Sequence, residues 1–268
     1  MEISDTRKCN FFNLEMLARY IDVPAATLVG YYKELLEDDE FIRAINFKVA
    51  SVREKWGFRK GIFAMESIPS VDWFAFERVL IYVLIRHFKP TQVLETGVYY
   101  GGNSAFALQA ILRNGFGLMT SIDYPDSQIR AKGSSEPRHS LVGDTEIYEA
   151  SLRPGFMVPP SLNRNWNLIE GDSLKVIPEL PYGFDFYLHD SDHSMPFLSK
   201  ELSVASEKLS DRALVLVDDI DWSNAFFAFC VQHRLFPLLF TDNGKDNLRV
   251  RTGLVIRDHP RNGDPLFT

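Results

Sequence analysis

The sequence predicts an α/β protein: a doubly wound, mostly parallel seven-stranded sheet, closed by a C-terminal antiparallel hairpin and preceded by a helical extension. Three observations lead there. From Lys89 onward, short apolar runs alternate with helix-like segments, the pattern of a parallel sheet with helical crossovers. Before that point apolar residues recur at helical spacing. Near the end, two strand-like runs flank the turn-rich Thr241-Asp242-Asn243-Gly244. With 268 residues and 46% hydrophobic content, the chain can bury a full core as one such domain.

The elements follow in order. Leu14, Leu17 and Ile21 share a helical face, and Leu28, Tyr31 and Leu35 continue it after Pro24. The acidic cluster Glu37 to Glu40 marks a solvated break. Ser70 caps the next helix, and the apolar run from Val71 to Phe88 reads as a buried helix leading into the sheet. Strands are expected at Gln92–Glu95, Gly117–Asp123, Trp166–Glu170, Phe184–His189 and Ala213–Val217, with helices at Ser104–Asn114 and Ser194–Leu209. Leu235–Phe240 and Leu248–Arg257 form the hairpin. This gives a helical extension over 1–70 and a sheet domain over 71–268. The connection 124–165 is long for a strand-to-strand link, with a short helix expected around Glu146 to Leu152. It leaves the carboxyl end of the second strand, where ligands bind in such sheets, so a lid is expected, with a plain surface loop as the alternative.

Composition narrows the function classes. A formal net charge of −7 and the absence of a long basic cluster argue against nucleic acid as the main partner. Asp72, Glu77, Arg78 and Arg86 interrupt the most apolar run, which argues against a membrane span. Cys9 and Cys230 make neither a disulfide framework nor a metal spacing. Met1 to Asn10 lacks the apolar core of a signal peptide. A cytoplasmic protein is expected.

Chemistry concentrates at the strand ends. The first strand runs into Glu95-Thr96-Gly97-Val98-Tyr99-Tyr100-Gly101-Gly102-Asn103-Ser104. Glycines let a backbone approach a ligand, and a helix start offers unpaired N–H groups. The glycine spacing departs from G-x-G-x-x-G, and an acid at the mouth gains nothing from a pyrophosphate. A cationic, phosphate-free cofactor suits it better, and S-adenosylmethionine is the candidate. Asp123 at the tip of the second strand could accept from both ribose hydroxyls. Asp172, after the third strand, could accept from an adenine amino group or cap the following helix.

Strands four and five end in Leu188-His189-Asp190-Ser191-Asp192-His193 and Val217-Asp218-Asp219-Ile220-Asp221. Parallel neighbours deliver these ends to one edge, so Asp190, Asp218 and Asp219 should converge. Carboxylates so placed repel unless a cation joins them, and all-oxygen ligands suit a hard divalent ion such as Mg²⁺. The alternative is that each acid caps a helix. His193, three residues past Asp190, can reach the same cavity and take a proton. His189 points to the other side and is expected to be structural.

Together ETGVYYGGNS, SIDYPD, EGDS, HDSDHS and LVDDIDW, within roughly residues 70 to 257, resemble the metal-dependent class I O-methyltransferases. The chain is similar to the catechol and caffeoyl-CoA enzymes, and closer to the bacterial cephalosporin-cluster and macrolide-sugar methyltransferases. The resemblance implies a Rossmann-like methyltransferase sheet and a cation on Asp190, Asp218 and Asp219. It implies a base at His193, where catechol-type enzymes usually carry lysine. The glycine turn is one residue longer than in those enzymes, so either Asn103 or Ser104 meets the cofactor's carboxylate. Glu95 and Asp123 would anchor the cofactor, with Gly97, Gly101 and Tyr99 or Tyr100 around it. The implied reaction is methyl transfer to a hydroxyl of a small molecule, such as a sugar, a catechol-like ring or a natural-product intermediate. The N-terminal helices match no motif; in relatives this region builds the substrate pocket or an oligomer contact, and a homodimer through it is expected. The rival readings are a metal-independent N- or O-methyltransferase, a non-catalytic cofactor-binding module and, weakest, a nicotinamide-linked oxidoreductase.

Overall fold

Strands covered on both faces read as near-continuous apolar runs, and Val93-Leu94, Phe186-Tyr187-Leu188 and Ala213 to Val217 are such runs, all buried. A computed structural model describes residues 5–57, 61–74, 76–124, 153–243 and 248–264. Among the described residues the α-helices α1 (Asp5–Tyr20), α2 (Ala25–Leu36), α3 (Asp39–Trp56) and α4 (Phe76–Phe88) come first. Then β1 (Gln92–Thr96), α5 (Gly102–Asn114), β2 (Leu118–Asp123), β3 (Trp166–Glu170), α6 (Ser173–Glu179), β4 (Phe184–His189), α7 (Met195–Ser206) and β5 (Leu209–Val217) alternate. The chain ends with α8 (Ala225–His233), β6 (Leu238–Asn243) and β7 (Leu248–Ile256). The strands form one sheet in the order β3-β2-β1-β4-β5-β7-β6. Strands β1 to β5 pair in parallel, while β7 runs antiparallel to both β5 and β6. This is the expected doubly wound sheet with its closing hairpin.

Side chains alternate across each strand, and this divides the core. Val93, Met119, Phe186, Leu188, Leu214 and Leu216 face the N-terminal helices and α5. Leu94, Ile122, Tyr187, Val215 and Val217 face Ile177, Leu198, Leu202 and Phe226 of α6, α7 and α8. Helix α4 has no polar face, with every residue from Val79 to Ile85 buried, because it is wrapped by α1, α2, α5 and β6. Ser70 accepts the Asp72 amide and caps a short 3-10 turn (Val71–Trp73) just before α4.

Several expectations change: the run from Val71 splits into the 3-10 turn and α4, and β5 begins at Leu209 rather than Ala213. Within the acidic cluster, Asp38 is only 3% exposed. It accepts the Phe41 amide as the N-cap of α3 and also takes Gln109 and Arg113 of α5, so a cap and two counter-donors hold it inside. The first hairpin strand starts at Leu238 rather than Leu235. The Leu235 amide still bonds back to Cys230 at the end of α8, and Pro237 has no N–H to give a ladder.

The short helix expected at Glu146 to Leu152, and most of the expected lid, lie outside the described residues. Of the long connection, residues 153–165 are described. The Gly155 and Met157 amides bond to the Tyr99 and Tyr100 carbonyls at 2.8 and 2.9 Å. Among the described residues no helix is long and apolar enough to cross a membrane.

Candidate active site

Register brings the strand ends together. Thr96 pairs with Ile122 on one side and His189 on the other, and His189 pairs with Val217. Gly97, Asp123, Asp190 and Asp218 therefore emerge along one edge.

The glycine turn is shaped largely by neighbouring backbone. At Gly97, with φ +83°, a Cβ would stand 2.0 Å from the Asp190 carbonyl oxygen, so β1 and β4 approach too closely for any other residue. Gly101, with φ +90°, lies against Val158 and Gly155. Asp123 closes the turn: its Oδ2 accepts the Val98 and Tyr99 amides at 3.0 and 2.6 Å, and its Oδ1 accepts Tyr124. Tyr99 itself adopts the left-handed backbone at φ +51°. The Tyr100 hydroxyl accepts from Arg78 at 2.9 Å. Gly101 is the N-cap of α5 and supplies no side-chain cap, leaving the helix's first amides at the edge.

Glu95 is fully buried, and Ser104 and Ser121 donate to its Oε2 at 2.7 and 2.6 Å. Its Oε1 has no hydrogen-bond partner among the described residues. Burial outweighs the two serines and pushes this carboxyl up to about 7. An orphan acceptor of this kind fits the ammonium group of an amino-acid-bearing cofactor. Asp172 is the N-cap of α6, accepting the Leu174 amide, with Lys175 at 3.5 Å.

The acid rim assembles differently from the sequence expectation. Asp190 and Asp218 do converge, but the third carboxylate with them is Glu77 of α4; one oxygen from each lies within 4.8 Å of the others. Asn103 donates through Nδ2 to Glu77 at 2.5 Å and to Asp190 at 2.9 Å. Burial and then the neighbouring acids hold Glu77 and Asp190 well above the usual carboxylate range, even with Arg78 and Arg251 opposing at Glu77. Asp218 is pushed up to about 6 by burial, against the pull of Arg251. The rim thus carries more acid than its own cations balance. Its all-carboxylate donor set fits a hard divalent ion.

Asp219 lies to one side, where its Oδ1 accepts from Arg251 Nε at 2.5 Å. Arg251, on β7, also reaches Asp218 Oδ2 at 3.3 Å. Burial works against its charge, but Asp218 and Asp219 keep the guanidinium protonated. His193 Nε2 stands 3.7 Å from both Asp190 Oδ1 and Asp219 Oδ2. Burial, then His189, lowers it to about 4, so its ring is neutral near pH 7. Trp222, 45% exposed, leans over it at 5.9 Å between ring centroids.

Behind the sheet, Glu201 Oε2 gathers His189 Nδ1 at 2.5 Å, Thr96 and Ser191 at 2.9 Å, and Tyr187 at 3.0 Å. Burial opposes the charge, yet His189 and the hydroxyl donors together hold Glu201 below its ordinary value. His189 is thus part of the scaffold, the role its alternation predicts.

Glu77, Arg78 and Arg251 had no assigned role in the sequence. Glu77-Arg78 in an otherwise apolar helix was the available signal, because charges at such depth need partners. Arg251 gave none, since an arginine in a closing strand is ordinary.

Residues 94–220 match the family model described as a methyltransferase domain. No curated protein sequence matches the chain. Among solved structures it is similar to the O-methyltransferase TomG from Streptomyces achromogenes, involved in tomaymycin synthesis and solved with SAM. That match has 14% identity and a TM-score of 0.51, and covers 95% of this chain and 99% of TomG. An O-methyltransferase from Bacillus cereus solved with SAH aligns at 12% identity and a TM-score of 0.50, over 83% of this chain and 93% of the other. The methyltransferase-domain match spans 127 of the 268 residues, and the seven-stranded sheet with its β5-β7-β6 antiparallel end gives the chain the fold of these solved O-methyltransferases.

Proposed function

We propose that the chain transfers the methyl group of S-adenosylmethionine to a hydroxyl of a small molecule, assisted by a divalent cation such as Mg²⁺ on Asp190 and Asp218. The observation that carries this reading is the crowding of raised carboxyls at the sheet edge, beside the glycine turn. The cofactor complexes of TomG and the Bacillus cereus enzyme support the donor. The segment from Gly97 to Ser104, with Tyr99, Tyr100, Gly101 and Asn103, forms the cofactor's cradle. Asp123 takes the ribose side, Glu95 Oε1 the ammonium group, and Asp172 stands nearest the base.

In this reading the hydroxyl oxygen attacks the methyl carbon in line, the C–S bond breaks, and the electron pair stays on sulfur. Holding oxygen, carbon and sulfur collinear supplies much of the rate. His193 Nε2 accepts the hydroxyl proton, its neutral ring being the form present near pH 7. A group held near pKa 4 accepts weakly from an alcohol, so the hydroxyl must be acidified by something else. A divalent ion held by Asp190 and Asp218 would supply that acidity. Trp222, partly exposed beside His193, walls the acceptor side.

A second reading has one observation in its favour: Arg251 already pairs with Asp218 and Asp219, as a metal-independent methyltransferase would need. Transfer of labelled methyl from S-adenosylmethionine into hydroxylated metabolites separates the two. Activity lost to chelator and restored by Mg²⁺ supports the cation; full activity in chelator refutes it and leaves the second reading.

A further inference from the structure

A divalent ion at a crowded rim takes only the carboxylates free to turn toward it. Glu77, Asp190 and Asp218 each present an oxygen within 4.8 Å of the others. In octahedral coordination at about 2.1 Å, ligand oxygens stand roughly 3–4 Å apart, so small side-chain movements close this set around one ion. Asp219 is placed otherwise. Its backbone is left-handed at φ +49°, and its carboxylate is engaged by Arg251 Nε at 2.5 Å while the other oxygen faces His193. We infer that the cation is held by Glu77, Asp190 and Asp218, with Glu77 of α4 serving where strand order would put Asp219, and that Arg251 keeps Asp219 out of the ligand set. This rests on the cation-assisted reading above and names its ligands.

A separate feature points to the same place. Asn103 is 6% exposed, and its carboxamide projects between Glu77 and Asp190. Its Oδ1 has no hydrogen-bond partner among the described residues. A buried acceptor without a donor is costly. With a cation between the two carboxylates the amide can turn over, giving up its two Nδ2 bonds to Glu77 and Asp190 and presenting Oδ1 to the ion as a further oxygen. Without one, Nδ2 does the bridging. Arg251 works against the ion because its guanidinium lies 3.3 Å from Asp218 Oδ2.

Mn²⁺ titration of the whole protein in the presence of SAH, read as loss of the free Mn²⁺ paramagnetic resonance signal, tests this. Glu77→Gln keeps an acceptor for Asn103 and should weaken Mn²⁺ at least tenfold. Asp219→Asn should change it less than threefold, and Arg251→Met should tighten it. Glu77→Asp retains the charge on a shorter stem, and its intermediate loss supports the assignment should Glu77→Gln fold poorly. A tenfold loss in Asp219→Asn with Glu77→Gln unaffected overturns the ligand set, and weaker binding in Arg251→Met overturns the part given to Arg251. A wild-type protein that binds SAH but leaves millimolar Mn²⁺ free ends both this inference and the cation-assisted reading, while methyl transfer itself stands. SAH affinity measured in each variant keeps the two failures apart.

Discussion

Replacing Gly97 by alanine tests how tightly the glycine turn is locked to the end of β4. The substitution meets two costs. A left-handed backbone costs a non-glycine residue about 1–2 kcal/mol. In addition, the new Cβ would stand 2.0 Å from the Asp190 carbonyl oxygen, which must retreat to ordinary contact at 3.4 Å or more. That movement strains the Asp190 amide bond to the Thr96 carbonyl, now 2.8 Å, adding about 1 kcal/mol for the bond and more for the displaced strand end. The sum is roughly 3–4 kcal/mol, or about 8–12 °C in melting temperature for a chain of this size. Gly115 is the control: at φ +79° nothing lies within 4 Å of its Cβ position, so Gly115→Ala carries only the backbone cost. Urea denaturation of both variants measures the difference. Should Gly97→Ala cost no more than Gly115→Ala, the close approach of β1 to β4 is not the reason for the glycine.

Three further outcomes follow from the buried acids. Glu95 is raised to about 7 in the folded protein, so its penalty grows as pH rises from about 4.5 to 7; Glu95→Gln should gain about 2–3 kcal/mol at pH 8, little at pH 4, and bind S-adenosylmethionine more weakly. Thermal melts at the two pH values with SAM titrations check this, and equal effects at both would contradict it. Glu201→Gln should cost about 3–5 kcal/mol at neutral pH, since His189 and four hydroxyls lose their common charged acceptor. Because Glu201 is held below its ordinary value, that advantage is complete above pH 4.5 and fades on further acidification; a pH-independent difference argues against a charged Glu201. Asp190→Ala should lower turnover at least a hundredfold while SAH affinity stays within threefold, and a parallel loss of both would place Asp190 in cofactor binding instead.

Much of the fold was legible because parallel strands and their helices repeat a simple pattern. Trp166–Glu170 and Phe184–His189 coincide with β3 and β4 to the residue, and the others shift by a few positions. The same logic put Asp190 and Asp218 at one edge, since parallel neighbours share carboxyl ends. Asp219 stays at the same edge but sits on Arg251 and His193, and its left-handed backbone leaves no mark in sequence. Glu77 was hidden for another reason: it reaches the rim from a helix preceding the sheet, through packing of α4 on α5 that no strand count reveals. Helix α8 went unassigned because it is apolar nearly all round and shows little periodicity.

The account stands or falls on what occupies the space between α4 and the ends of β4 and β5. Crystals grown with SAH and Mn²⁺, with data collected at the manganese edge, address it directly. An anomalous peak bounded by Glu77, Asp190 and Asp218, with Asp219 still on Arg251, is the predicted result. A map without that peak, or with manganese between Asp218 and Asp219 in place of the guanidinium, contradicts it.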